Sequence, residues 1–218
     1  MLRAVLLDVN GTLTDPSAIG ALWARPDLGE RVLHQAISTA MVAALLHDVE
    51  RTFRDHLSAA IDVVAAAAGL DPGVSAQALD SAASLPARPG AADALATLSD
   101  ADLRIVALTN SGADGGRATL EACGLLPFIE EVLGVDGVPT FKPHPDVYSY
   151  ALSKLEEDPD RVALVATHPW DLAGAAHGGM RTAWVRHAPR AWPSVFPNPD
   201  VQADTLPDLA TAILAHHW

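Results

Sequence analysis

The chain has 218 residues, which at roughly 100–200 residues per domain allows one large domain or one domain with a sizeable insert. Half of the residues are hydrophobic and 19% are charged, so the chain is able to bury a core and lacks the composition of a disordered segment. Fourteen Lys and Arg against 27 Asp and Glu leave a net charge of −13, which excludes a sequence-independent nucleic-acid binder, because neutralising phosphates requires a basic surface.

In chain order, residues 4–7 read as a buried strand, and the four apolar residues between Arg3 and Asp8 are too few for a signal-peptide core. Residues 15–85 show helical periodicity and no convincing strand. Leu33, Ile37, Met41 and Leu45 recur every four positions, and Phe53, Leu57, Ile61 and Val64 follow at helical spacing, as expected of two core helices packing on each other. Residues 84–90, with Pro86 and Pro89, read as a linker because two prolines forbid a continuous helix. Beyond it come a helix at 91–98, a strand at 103–108, a helix at 115–123, a short strand at 132–134 and a helix at 145–155. A strand at 162–166, a helix at 172–177, a strand at 182–185 and a helix at 206–216 complete the series. This alternation is the pattern of a parallel sheet with crossover helices. The predicted fold is therefore α/β: a Rossmann-like parallel sheet with helices on both faces, from residues 1–14 and 86–218, and an inserted helical cap subdomain at 15–85. Apolar stretches such as 37–46 fall well short of the ~20 residues of a membrane span, and the expectation is a cytoplasmic protein without membrane or nucleic-acid partners. The single Cys123 rules out an internal disulfide framework and a cysteine-based zinc cluster.

The predicted strands end on polar residues: Asp8 and Asn10, then Thr109 and Asn110, then Thr167, His168 and Asp171. In open parallel sheets ligands bind outside the carboxyl ends of the strands, so these groups should converge on one crevice. A carboxylate directly after a buried strand, as at Asp8, is placed for nucleophilic attack, although Asp also serves as a turn or helix cap there. Lys142 is able to hold such a carboxylate ionised and aim it, or to be a solvated loop lysine. Thr109 and Asn110 by themselves fit ordinary turn positions equally well.

Taken in order, these segments resemble the haloacid dehalogenase superfamily along nearly the whole chain. Leu7-Asp8-Val9-Asn10-Gly11-Thr12-Leu13 resembles its first motif and Leu108-Thr109-Asn110-Ser111 its second. Phe141-Lys142-Pro143 resembles the third, and the stretch from Val165 to Asp171 occupies the place of the fourth. The helical insert lies where this family carries its cap. The superfamily's phosphatases resemble Asp-x-Asp-Gly-Thr in the first motif, the second Asp acting as general acid and base. Here that position is Asn10, which has no proton to deliver to a leaving alcohol. With Asp171 set on the last acidic position of the fourth motif, Thr167 takes the place of another, and one expected Mg²⁺ ligand is missing.

Type II 2-haloacid dehalogenases are similar in lacking both groups, and Trp170-Asp171 matches the end of their fourth motif. The resemblance implies a metal-free, cofactor-free hydrolase for short 2-haloalkanoic acids, small anionic substrates. Asp8 would attack the halogen-bearing carbon, and water would then cleave the resulting ester. It further implies that Lys142 orients Asp8, that Asp171 with Thr167 or His168 positions the water, and that Thr12 and Thr109 hold the substrate carboxylate. Asn110 would receive the halide, with Asn10 and Trp170 lining the same site. The cap-helix Arg of these enzymes, followed by Gln, aligns with His34 and Gln35, and Arg25 or Arg31 would substitute for it in another register. The alternatives are a phosphatase with a degenerate Mg²⁺ site and a catalytically weak ligand-binding member. Members of the family often dimerise through the cap, and the apolar helix faces here permit it.

Overall fold

The computed structural model describes residues 1–48 and 50–218. Six strands form one all-parallel sheet in the order β3-β2-β1-β4-β5-β6. They are β1 (Ala4–Leu7), β2 (Arg104–Thr109), β3 (Glu131–Gly134), β4 (Val162–Ala166), β5 (Arg181–Val185) and β6 (Val201–Ala203). β1 lies at the centre, with Ala4 paired to Arg104 on one side and to Val162 on the other. A parallel sheet covered on both faces buries its strands throughout, which is why β1 and β4 are unbroken apolar runs. Ala4 and Leu6 of β1 enter one apolar cluster and Val5 and Leu7 the other, as the twofold period of a strand dictates.

Nine helices accompany the sheet among the described residues. Four follow β1 directly: α1 (Ser17–Ala21), α2 (Asp27–Leu46), α3 (Phe53–Ala67) and α4 (Ser75–Ala82). The others are α5 (Ala91–Ser99), α6 (Ala113–Ala122), α7 (Pro145–Leu155), α8 (Pro169–His177) and α9 (Leu206–Ala215). α5 and α9 contribute to the cluster of Val5 and Leu7, whereas α7, α8 and the inserted helices share the cluster of Leu6. α3 opens with a reciprocal pair: Thr52 accepts from the Asp55 N–H while Asp55 accepts from the Thr52 N–H. The chain leaves for the insert and returns along paired linkers, with the Asp15 N–H on the Pro86 carbonyl and the Arg88 N–H on the Leu13 carbonyl, both at 2.8 Å.

Three expectations need correction. The insert holds four helices rather than two, the extra ones being short. Leu45, expected in the core stripe of α2, is 78% exposed. A helix turns 3.6 residues at a time, so a strict four-residue repeat drifts off its face, and the buried stripe continues instead through Ala36, Ala40, Ala43 and Ala44. β6 went unforeseen because its three residues follow a Pro- and Asn-rich loop without an apolar run. No helix of the described residues is long and apolar enough to cross a membrane.

Candidate active site

The chain order switches direction across β1: it builds β2 and β3 to one side, then returns to lay β4 on the other. Such a switch point opens a crevice at the carboxyl ends of the strands. Asp8 follows β1 there, Thr109 ends β2 and Asn110 follows it, and Thr167, His168 and Asp171 follow β4. Gly11 gives the turn after Asp8 its positive φ of 87°, and a Cβ at that position would press on Leu33 and His168.

Asp8 is buried and fully engaged. Oδ1 accepts from the Lys142 ammonium at 3.0 Å, and Oδ2 accepts from the Thr12 hydroxyl at 2.6 Å. His168 Nδ1 lies 3.1 Å from Oδ2, and beside an ionised carboxylate that nitrogen must carry the proton. Burial alone would raise the Asp8 carboxyl. The Lys142 charge, followed by His168 and the Thr12 hydrogen bond, outweighs it and holds Asp8 well below the usual carboxylate range.

Lys142 is itself buried and bridges two acids, with its Nζ 2.7 Å from Asp171 Oδ2 as well. Burial would lower the ammonium, but Asp171 and Asp8 together raise it above its ordinary value. Asp171 moves the other way from Asp8: burial raises it, the Asp8 charge adds to the rise, and Lys142 offsets only part. Its Oδ1 accepts from the Tyr148 hydroxyl at 2.6 Å. Asn110 Oδ1 accepts from the Lys142 N–H at 2.8 Å, tying the end of β2 to the lysine loop and leaving the Asn110 amide nitrogen as a donor.

Asp8, Asn10, Thr109, Asn110, His168 and Trp170 line one cleft with Leu33, Ile37 and Phe53, and Asp8 is its one carboxylate. Thr12 lies behind Asp8, its oxygen also accepting from the Thr167 N–H at 3.0 Å, so it orients Asp8 and has no oxygen directed at a substrate. Three buried polar atoms around the cleft lack a partner among the described residues: Asn10 Oδ1, Thr167 Oγ1 and His168 Nε2. Lys142 and Asp171 stand one layer deeper.

The insert departs from the expectation at its first long helix. Leu33 and Ile37 of α2 face the cleft, while His34 is exposed at the rim, its ring 6.3 Å from that of His168. Partial burial first, then the neighbouring His168, lowers the His34 pKa and favours the neutral ring. Gln35 is half-buried and outside the cleft lining. Arg25 is bound to Asp27 on the surface at 2.8 Å, and Arg31 is exposed. Residue reasoning missed Leu33, Ile37 and Phe53, whose only sequence signal was helical periodicity. It also missed Tyr148, which reads as an ordinary core residue of α7.

A hard cation such as Mg²⁺ prefers several anionic oxygens. Here the oxygens of Asp8 and Asp171 are already engaged by Lys142, Thr12, His168 and Tyr148. The unpartnered oxygens of Asn10 and Thr167 are neutral, and no three His, Cys, Asp or Glu side chains among the described residues converge as a cage. Both carboxylates are bridged by Lys142, which makes them a poor donor set for such a cation.

Residues 2–179 match the family described as haloacid dehalogenase-like hydrolase. The chain belongs to that family. Within it, the chain is similar to (S)-2-haloacid dehalogenase 1 of Pseudomonas sp. (strain CBS-3), 28% identical over 136 residues, which are 62% of this chain and 60% of that protein. It is also similar to the pyrophosphatase PpaX of Bacillus pumilus (strain SAFR-032), 30% identical over 122 residues, or 56% of each chain. The matched stretches thus span less than two thirds of either relative. In fold the haloacid dehalogenase-like chain superposes on the L-2-haloacid dehalogenase of Xanthobacter autotrophicus with chloropropionic acid covalently bound, at a TM-score of 0.88, 24% identity and full coverage of both chains.

Proposed function

We propose that this haloacid dehalogenase-like hydrolase cleaves the carbon–halogen bond of short 2-haloalkanoic acids through an aspartyl ester on Asp8, without a metal. The observation that carries the reading is an ionised Asp8 facing a cleft walled by Leu33, Ile37, Phe53 and Trp170, with Asn10 at the position where a phosphatase needs an acid. Halide leaves without protonation, so the displacement requires no such acid.

In the first step an Asp8 oxygen forms a bond to C2 while the carbon–halogen bond breaks and the halide departs with its electron pair. Oδ1, held by Lys142 alone, is the less encumbered oxygen for this attack. The amide nitrogens of Asn110 and Asn10 supply donors for the halide, and Thr109 with the loop N–H groups supplies donors for the carboxylate. In the second step water adds to Cγ of the Asp8 ester. The negative charge that develops on Oδ2 meets two donors already in place, the Thr12 hydroxyl and His168 Nδ1. Asp171, its pKa raised above that of an ordinary carboxyl, takes the proton from the water. Collapse of the adduct breaks the Cγ–O bond to the substrate, the departing alkoxide takes that proton back from Asp171 to become the 2-hydroxy acid, and the new Asp8 carboxyl loses its own proton as it ionises again beside Lys142.

A Mg²⁺-dependent phosphatase is the competing reading suggested by the pyrophosphatase relative, and the engaged carboxylates weigh against it. The deciding experiment is chloride release from racemic 2-chloropropionate with EDTA present throughout. Release in the wild type and none in Asp8→Asn is the expected result. Turnover of a phosphate ester that EDTA abolishes, with no halide release, would reverse the assignment.

A further inference from the structure

The loop carrying Asp8 is also held by two side chains that are remote in sequence. His187, two residues beyond β5, donates from Nε2 to the Thr12 carbonyl at 2.8 Å. Arg88, in the return linker, donates from Nε to the Gly11 carbonyl at 3.4 Å. We propose that His187 is a positioning residue for Asp8, acting through the backbone of Thr12. The inference rests on Asp8 being the nucleophile.

Thr12 is the link. Its hydroxyl is fully buried, donates to Asp8 Oδ2 and accepts from the Thr167 N–H, so its direction follows from where its own backbone sits. Among the described residues His187 is the one hydrogen-bond donor to the Thr12 carbonyl. The backbone of His187 adopts a left-handed φ of 54°, a conformation uncommon for residues other than glycine, and its N–H is fixed on the Asp204 carbonyl at 3.1 Å. Such positions persist where the surroundings over-determine them, and they concentrate at functional sites. Burial, opposed by the Thr12 carbonyl and reinforced by Arg88 and Arg190 against Glu30, brings the His187 pKa to about 4. The ring is therefore neutral near pH 7, with its proton on the nitrogen that meets the carbonyl. It secures the loop without placing another cation beside Lys142 and Asp8.

Two replacements separate the donor from the backbone. Asparagine tolerates the left-handed conformation but is too short to reach Thr12, whereas glutamine carries an amide nitrogen at about the position of Nε2. Steady-state halide release and amide exchange at Thr167, whose N–H rests on the Thr12 hydroxyl, are measured in both. In His187→Asn, kcat is expected to fall about tenfold or more with KM within about twofold, since a displaced catalytic group costs up to roughly 100-fold. Thr167 exchange is expected to accelerate about tenfold in the same variant, reporting local opening. His187→Gln should stay within about threefold of wild type on both readouts. Asn and Gln variants that behave alike, both intact or both impaired, would overturn the proposal. A wild type that releases no halide defeats the reaction assigned to Asp8 instead, and the exchange rates then decide the role of His187 by themselves.

Discussion

Replacing Lys142 by methionine keeps most of the side-chain volume and removes the one cation between two buried carboxyls. In the wild type its ammonium lies 3.0 Å from Asp8 and 2.7 Å from Asp171, with the lysine side chain 1% exposed. Removing one partner of a buried ion pair costs about 3–5 kcal/mol when the remaining charge stays. With two acids left facing each other, one takes up a proton instead, because burial and the neighbouring charge both raise its pKa. That group then has a folded pKa above its unfolded value. Its contribution to stability is complete only below the unfolded value and fades as pH rises through the folded one. As the pH falls from 8 to 5 the variant should therefore gain stability relative to wild type, at up to ~1.4 kcal/mol per pH unit while the folded group alone is protonated. Asp8 in the wild type behaves oppositely. Its carboxyl lies well below the ordinary carboxylate range, so its contribution is present above that range and is lost in stronger acid. Urea unfolding at pH 5, 6.5 and 8 measures the difference. Halide release at pH 7 should fall by about 10³ or more, because a protonated carboxyl is no nucleophile and a single electrostatic donor can be worth as much. Parallel pH dependences of stability in variant and wild type would refute the claim that Lys142 keeps Asp8 ionised.

Two further variants probe the second chemical step. His168→Ala removes one of the two donors on Asp8 Oδ2, so hydrolysis of the ester should slow about 100-fold. The ester should then accumulate as a mass increase on the peptide containing Asp8; unchanged kcat with no accumulation would contradict the role. Tyr148→Phe deletes the 2.6 Å hydrogen bond to Asp171, which stabilises the charged carboxylate and lowers its pKa. Its loss should move the acidic limb of kcat upward by about one pH unit and reduce stability by about 1.5–3 kcal/mol. An unmoved limb would show that Asp171 is not the base.

The central strands were legible because burial on both faces leaves no alternative to an apolar run, as at Ala4–Leu7 and Val162–Ala166. α7 was equally plain, bounded by Pro145 at its first turn and by the change to acidic residues after Leu155. The site was legible to the extent that loops at strand ends share one crevice, which brought Asp8, Asn110 and His168 together from residues 8, 110 and 168. The walls of the cleft were not legible. Leu33, Ile37 and Phe53 have the same periodicity as helix positions buried against one another, and nothing in a linear pattern says which of them turns toward Asp8. His34 shows the same limit from the other side: alignment to a motif put it in the site, while the helix directs its neighbour Leu33 there. His187 lay in a loop whose carbonyl partner is 175 residues away.

The place of β1 at the centre of the sheet bears on how the molecule is made. β1 leaves the ribosome before the other five strands of the sheet, yet Ala4 finds one neighbour at Arg104 and the other only at Val162. At roughly 5–20 residues per second, the strand that presents Asp8 remains half-paired for several seconds and without its second neighbour for about ten to thirty. Pairings of such long sequence separation are also slow to form in an isolated chain. During this interval Ala4–Leu7 is an apolar segment with open edges, the kind of surface that invites pairing with other chains.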